Sequence, residues 1–266
     1  MLSTALPRVM AVVPKGVSAE RLFSVAYVAL ERNPRLLDCT PISILRCVVL
    51  GTQLGLDVSG VGNQAFMVPY RNNRTGRTDA QFITGWQGLI ELSRRSRDVA
   101  WIYSNIVYKN ERFSYIVDPI PRLQHVPLGA DVDRGKPVGA YALAVFRDKD
   151  VPPQPLVMTV GEIERIRGRS RAKDDGPWVT DWEAMARKTT VRQLCKFLPQ
   201  NPDVLAALDL EDRVESGEEI ILPGEIIPAE VMEAEKPTQE AAERARGAEG
   251  VKARARKRAR TQADGN

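Results

Sequence analysis

Three cations stand at four-residue intervals in WEAMARKTTVRQLCKFLP, residues 182–199: Lys188, Arg192 and Lys196. Wound at 3.6 residues per turn they form a ridge whose members rise about 6 Å per step. Val191, Leu194, Cys195 and Leu198 fall on the opposite side, a stripe suited to a core. The plain alternative to a binding surface is a solvated face, but such faces ordinarily mix their signs. Here only Glu183 balances the row, in the first turn where the helix dipole favours an acid.

Further cations gather in two other places: Arg71, Arg74 and Arg77, then Arg165, Arg167, Arg169, Arg171 and Lys173, with Arg187 beside the ridge itself. Tyr70, Phe82, Trp86, Trp178 and Phe197 lie among them in sequence. Cations that track phosphates and aromatic faces that meet bases are the ingredients of single-strand binding, although each aromatic taken alone suits a core equally well. Asp174, Asp175, Asp181 and Glu183 offer a competing chemistry, a magnesium-dependent nuclease built on paired carboxylates. Turn formation before Gly176-Pro177 and helix capping by Asp181 explain those acids more simply. Neither GxxxxGK[ST] nor GxGxxG occurs, which argues against an ATP-driven motor. Cys39, Cys47 and Cys195 form no CxxC pair and read as reduced thiols; His125, the single histidine, reads as a packed or hydrogen-bonded one.

The charge is unevenly spread. Of the net +4, Glu211–Glu243 carries −9, Arg244–Arg260 carries +7 and Asp264 carries −1, which leaves residues 1–210 at +7. A basic core with an acidic, then basic, tail suits a polyanionic partner. Without an 18-residue apolar run or a signal-peptide pattern, the expectation is a soluble cytoplasmic protein with no membrane partner.

The elements that must position these residues follow from periodicity. Residues 18–32 predict a helix capped by Ser18, and Thr40-Pro41 opens a second, apolar nearly all round, that stops near Gly55. Residues 64–85 predict a hairpin around the Arg-rich loop, 86–96 a helix, and 99–118 a pair of strands broken at Lys-Asn-Glu. Strands are expected at 137–148 and 156–160, then a helix from 161 that breaks in a Gly-Pro loop before the basic helix. The fold class is α+β: a small antiparallel sheet with packed helices, an N-terminal helical part (1–60), an α+β core (61–214), and a mobile tail (215–266) too poor in apolar residues to pack.

Several segments in order, LGLDVSGVGNQAFMVPY, QFITGWQGLIELSRRS, VYKNERFSY, RLQHVP, DRGKPVGAYA and SRA…PWVTDWEAMARKTTVRQLCKFLP, give residues 20–200 a resemblance to the RecT family of phage single-strand annealing proteins. Trp86 stands where that family often has Tyr, which preserves an aromatic ring. The resemblance implies an ATP-independent recombinase, phage or prophage encoded and working in a bacterial cytoplasm. It would coat single-stranded DNA as a ring or helical homo-oligomer and anneal it to a complement. It needs no cofactor, metal or catalytic nucleophile. Partners would be single-stranded DNA, the annealed duplex, a phage exonuclease and the host single-strand-binding protein. The DNA-binding set it points to comprises Arg71, Arg74, Arg77, Gln81, Phe82, Trp86, Lys109, Arg169, Arg171, Lys173, Arg187, Lys188, Arg192, Lys196 and Phe197. On this reading the ridge follows the strand's phosphates.

Overall fold

A computed structural model describes residues 6–222 apart from residues 8, 72–75, 130, 171, 172, 175, 200, 217 and 219; Arg74, Arg171, Asp175 and the tail beyond 222 therefore lie outside the described residues. Helix α1 (Ala19–Arg32) begins where the Ser18 hydroxyl accepts the Arg21 N–H at 3.3 Å, and it buries Leu22, Ala26 and Ala29 along one stripe. A 3-10 turn, Pro34–Asp38, leads to α2 (Pro41–Leu54), which has Pro41 in its first turn and is buried on every side. It ends at Gly55, whose φ of 60° is open to glycine at little cost. Arg95 completes that end by donating to the carbonyls of Leu54 at 2.6 Å and Gly55 at 2.9 Å.

The expected hairpin is present: β1 (Ala65–Arg71) pairs antiparallel with β2 (Thr78–Thr84), and Ala80 N–H donates to Ser43 Oγ of α2 at 2.8 Å. The preceding loop is held by Asp57, whose carboxylate accepts from the backbone of Ser59 at 2.9 Å and Gly62 at 3.2 Å. Helix α3 (Trp86–Arg95) then passes so close to this loop that a Cβ on Gly85 would strike the Asn63 carbonyl, and one on Gly88 the Gln64 carbonyl. The glycines of ITGWQG are thus required by packing.

Residues 99–118 form two strands that belong to different sheets. Strand β3 (Val99–Tyr108) pairs with β6 (Pro137–Phe146), which pairs with β7 (Gln154–Thr159), all antiparallel. Strand β4 (Arg112–Asp118) instead folds back on β5 (Ile120–Val126) as a separate hairpin. Helices α4 (Val160–Arg167), α5 (Pro177–Thr180), α6 (Trp182–Cys195) and α7 (Pro202–Ser216) complete the chain. Ala140, Ala142 and Ala144 on β6 are fully buried, and their small side chains let α6 settle directly on the sheet. The main core joins α1, α2, the β1–β2 hairpin, α3, α6 and α7; a smaller one joins Ile106, Ala140, Ile163, Trp178 and Ala186 at the other end of the sheet.

Candidate nucleic-acid interface

At the β3–β4 turn the Glu111 side chain is wholly buried and accepts four hydrogen bonds: Arg134 Nε at 2.6 Å, His125 Nε2 at 3.0 Å, Tyr108 N–H at 3.0 Å and Leu128 N–H at 3.2 Å. Burial alone would raise its pKa, but these donors outweigh it and hold the carboxyl at about 2. Around this carboxylate the segments VYKNERFSY, RLQHVP and DRGKPVGAYA meet. His125 Nδ1 lies 3.3 Å from the Tyr141 hydroxyl, and Phe113 and His125 pack on the Tyr141 ring. The lone histidine is a hydrogen-bonded packing residue.

The network continues into α6. Arg134 stacks 3.9 Å above the Tyr108 ring, and the Tyr108 hydroxyl donates to Glu183 in the first turn of α6. Burial first, and the Glu183 carboxylate second, push the Tyr108 hydroxyl up to about 12, so it serves as a donor. Arg187 lies 3.9 Å from Glu183. Trp182 Nε1 donates to Glu164 of α4 at 2.6 Å, and Arg167 Nε donates to the Lys173 carbonyl at 2.8 Å. These contacts bring exposed Lys109, Arg169 and Lys173, and half-buried Arg187, around the N-terminal end of α6. Asp181 caps that helix by accepting the Ala184 N–H at 3.1 Å. Among the described residues no group of three or more His, Cys, Asp or Glu side chains is placed to hold a metal ion.

The other candidates are dispersed. Arg71 and Arg77 are exposed at the far end of the β1–β2 hairpin, and Gln81 is half-buried opposite Val68. Trp86 is half-buried against the main core. Phe82, expected to offer a stacking face, is 1% exposed within that core, where the alternation of β2 turns it toward α2 and α7. Lys196 and Phe197 are exposed just beyond α6, Phe197 at 65%. They stand about 20 Å from the α6 N-terminus at 1.5 Å per residue.

The expected open ridge is a correction in its first two members. Lys188 Nζ lies 2.7 Å from Glu211 Oε1, Arg192 Nε lies 3.0 Å from Glu211 Oε2, and Arg192 also pairs with Asp212. Arg192 and Glu211 are both buried, between α6 and α7. The acids that balance these cations come from α7, about twenty positions on, where sequence reading counted them with the tail; they are in the fold because Val204, Ala207 and Leu208 carry α7 into the core. Glu111 was likewise missed, and its signal was the acid inside an otherwise basic and apolar turn, VYKNERF.

The RecT family model matches residues 20–222. Protein RecT of Escherichia coli (strain K12) is 33% identical over 221 residues, which is 81% of this chain and 81% of that protein. An uncharacterized protein of Bacillus subtilis (strain 168), YqaK, is 23% identical over 224 residues, 84% of this chain and 74% of that protein.

Proposed function

The chain belongs to the RecT family, and from that premise we propose that it binds single-stranded DNA and anneals it to a complementary strand without ATP, as an oligomer on the DNA. The observation that carries the reading is the cationic rim at the N-terminal end of α6. There Lys109, Arg169 and Lys173 are exposed and have no ion pair among the described residues, whereas Lys188 and Arg192 are paired internally with Glu211 and Asp212. A rim of this kind gains affinity from phosphates and leaves base edges free to pair. Arg71 and Arg77 on the hairpin, and Lys196 with Phe197 beyond α6, would extend the path.

Self-association is supported by the β4–β5 hairpin. Ile116, Val117, Ile120 and Val126 are all exposed on it, while its base is packed through Phe113 and His125. A two-stranded hairpin in water is marginal alone, so a neighbouring subunit is its natural cover. No helix among the described residues is long and apolar enough to cross a membrane. An exonuclease that exposes single strands is the partner class such an activity requires.

The test mixes complementary oligonucleotides with the protein in the absence of ATP and nucleases, over a salt series. Faster duplex formation, with affinity that falls steeply as salt rises and depends little on base sequence, is the expected result. Unchanged annealing rates, or DNA shortened in a magnesium-dependent way, would overturn it.

A further inference from the structure

The β3–β6–β7 sheet has two unlike faces. Ile102, Ser104 and Ile106 of β3 pair across with Ala144, Ala142 and Ala140, and this face meets α6, with the Ser104 and Thr190 hydroxyls 3.2 Å apart. The opposite face carries Trp101 opposite Val145, Tyr103 opposite Leu143 and Asn105 opposite Tyr141. The base of the β4–β5 hairpin covers Tyr141, but Trp101 and Tyr103 are left 52% and 56% exposed. Two large rings therefore stand uncovered on one side of one strand, two residues and about 6.7 Å apart.

A cation is already placed over this shelf. The Arg94 guanidinium carbon lies 4.6 Å from the Trp101 ring centroid, its Nε is buried with no hydrogen-bond partner, and it has no ion pair among the described residues. Arg97 and Arg147 are exposed at the same end, where Arg147 N–H donates to the Asp98 carbonyl at 2.8 Å; of the nearby acids, Asp148 is engaged in a turn with the Asp150 N–H.

We propose that Trp101 and Tyr103 form a base-stacking platform for single-stranded nucleic acid, with Arg94 taking the accompanying phosphate, a second contact region apart from the rim around α6. The ring spacing is about twice the 3.4 Å step of a stacked strand, so each ring accepts one base of a strand pulled out of its stack. The unpaired guanidinium decides between the two occupants such a shelf could take. An apolar face of a second copy would bury that charge without a partner, which is costly, whereas a nucleotide brings the anion with the ring. The platform rests on the single-strand reading given above and adds to it a contact that depends on bases.

The measurement compares a thymidylate oligonucleotide with an abasic strand of equal length and charge, using the parent, Trp101→Ala/Tyr103→Ala and Trp101→Phe, together with sedimentation of each protein and its thermal melt. The parent binds the thymidylate strand more tightly than the abasic one. The double variant loses about tenfold or more on thymidylate and nothing on the abasic strand. Trp101→Phe keeps the affinity and loses the strand-induced quenching of tryptophan fluorescence, because the other tryptophans, Trp86, Trp178 and Trp182, are buried or half-buried. Equal losses on both strands, unchanged thymidylate affinity, or quenching that survives Trp101→Phe would overturn the platform. So would a double variant that sediments as a smaller species while its preference for bases persists, which would assign the shelf to subunit contact. If the parent prefers neither strand but binds both, the platform falls and the phosphate reading stands; if it binds neither, both fall.

Discussion

Glu111→Gln changes one oxygen to an amide nitrogen at the point where three of the shared segments meet. The carboxylate accepts from Arg134, His125 and two backbone N–H groups, and its pKa is held at about 2, against an ordinary value of 4.5. A group whose folded pKa is depressed contributes stability that is fully present above pH 4.5 and is lost as pH falls through about 2. At neutral pH the shift corresponds to roughly 3 kcal/mol at 1.36 kcal/mol per unit. For a domain of this size that is a drop in melting temperature of about 6–12 °C. Melts of parent and variant followed by circular dichroism from pH 7 down to pH 3 provide the assay. The variant should melt lower at pH 7 and lose less on acidification, so the two curves converge toward low pH. Equal melting at pH 7, or a constant gap at every pH, would show that the charge on Glu111 does not hold these segments together.

Removing Arg192 as Gln leaves buried Glu211 with one of its cations gone and should cost about 3 kcal/mol, most of it recovered when Glu211→Gln is added, as urea denaturation of the four proteins would show. Additive losses would mean the pair is not coupled. Changing Lys109, Arg169 and Lys173 together to Gln should lower the slope of log affinity against log salt by about two units, at roughly 0.7 per phosphate, with the melting temperature unchanged; an unaltered slope would move the strand elsewhere. A chain ended at Leu222 should melt like the full protein, whereas one ended at Ser216 loses buried Leu222 and its neighbour Ile220 and should be less stable by about 2 kcal/mol. Identical melts of the two truncations would show that residues 217–222 contribute nothing to packing.

Local signals carried most of the fold. Ser18, Pro41 and Gly55 marked helix ends through chemistry that acts within a few residues, and the hairpin of β1 and β2 followed from two β-type runs around a polar loop. Strand partners were a different matter. Nothing in residues 99–118 says that the Lys109–Glu111 turn sends β4 away from β3, because β3 finds its partner in β6, some forty residues on, through a row of alanines whose value lies in what they let α6 approach. Strand β5, with one proline, Pro121, beside basic Arg122, was legible only as part of the segment RLQHVP.

The same distinction separates the parts of the site. Exposed Lys109, Arg169, Lys173 and Lys196 are where residue type alone would put them, on turns and at a helix end, whereas the exposure of Phe197 does not follow from its type. The four-residue spacing of Lys188, Arg192 and Lys196 correctly announced a helix with a cationic side, but spacing states only which residues share a face and not what that face meets. Its partner is Glu211, on a helix whose apolar residues bind it to the core and whose acids, read along the chain, looked like the start of a solvated tail. A row of like charges on a helix therefore carries two readings, an outward one toward phosphates and an inward one toward carboxylates. Here the first two members are turned inward and the third outward, which leaves Lys196 and its neighbour Phe197 as the part of the original row still available to a strand.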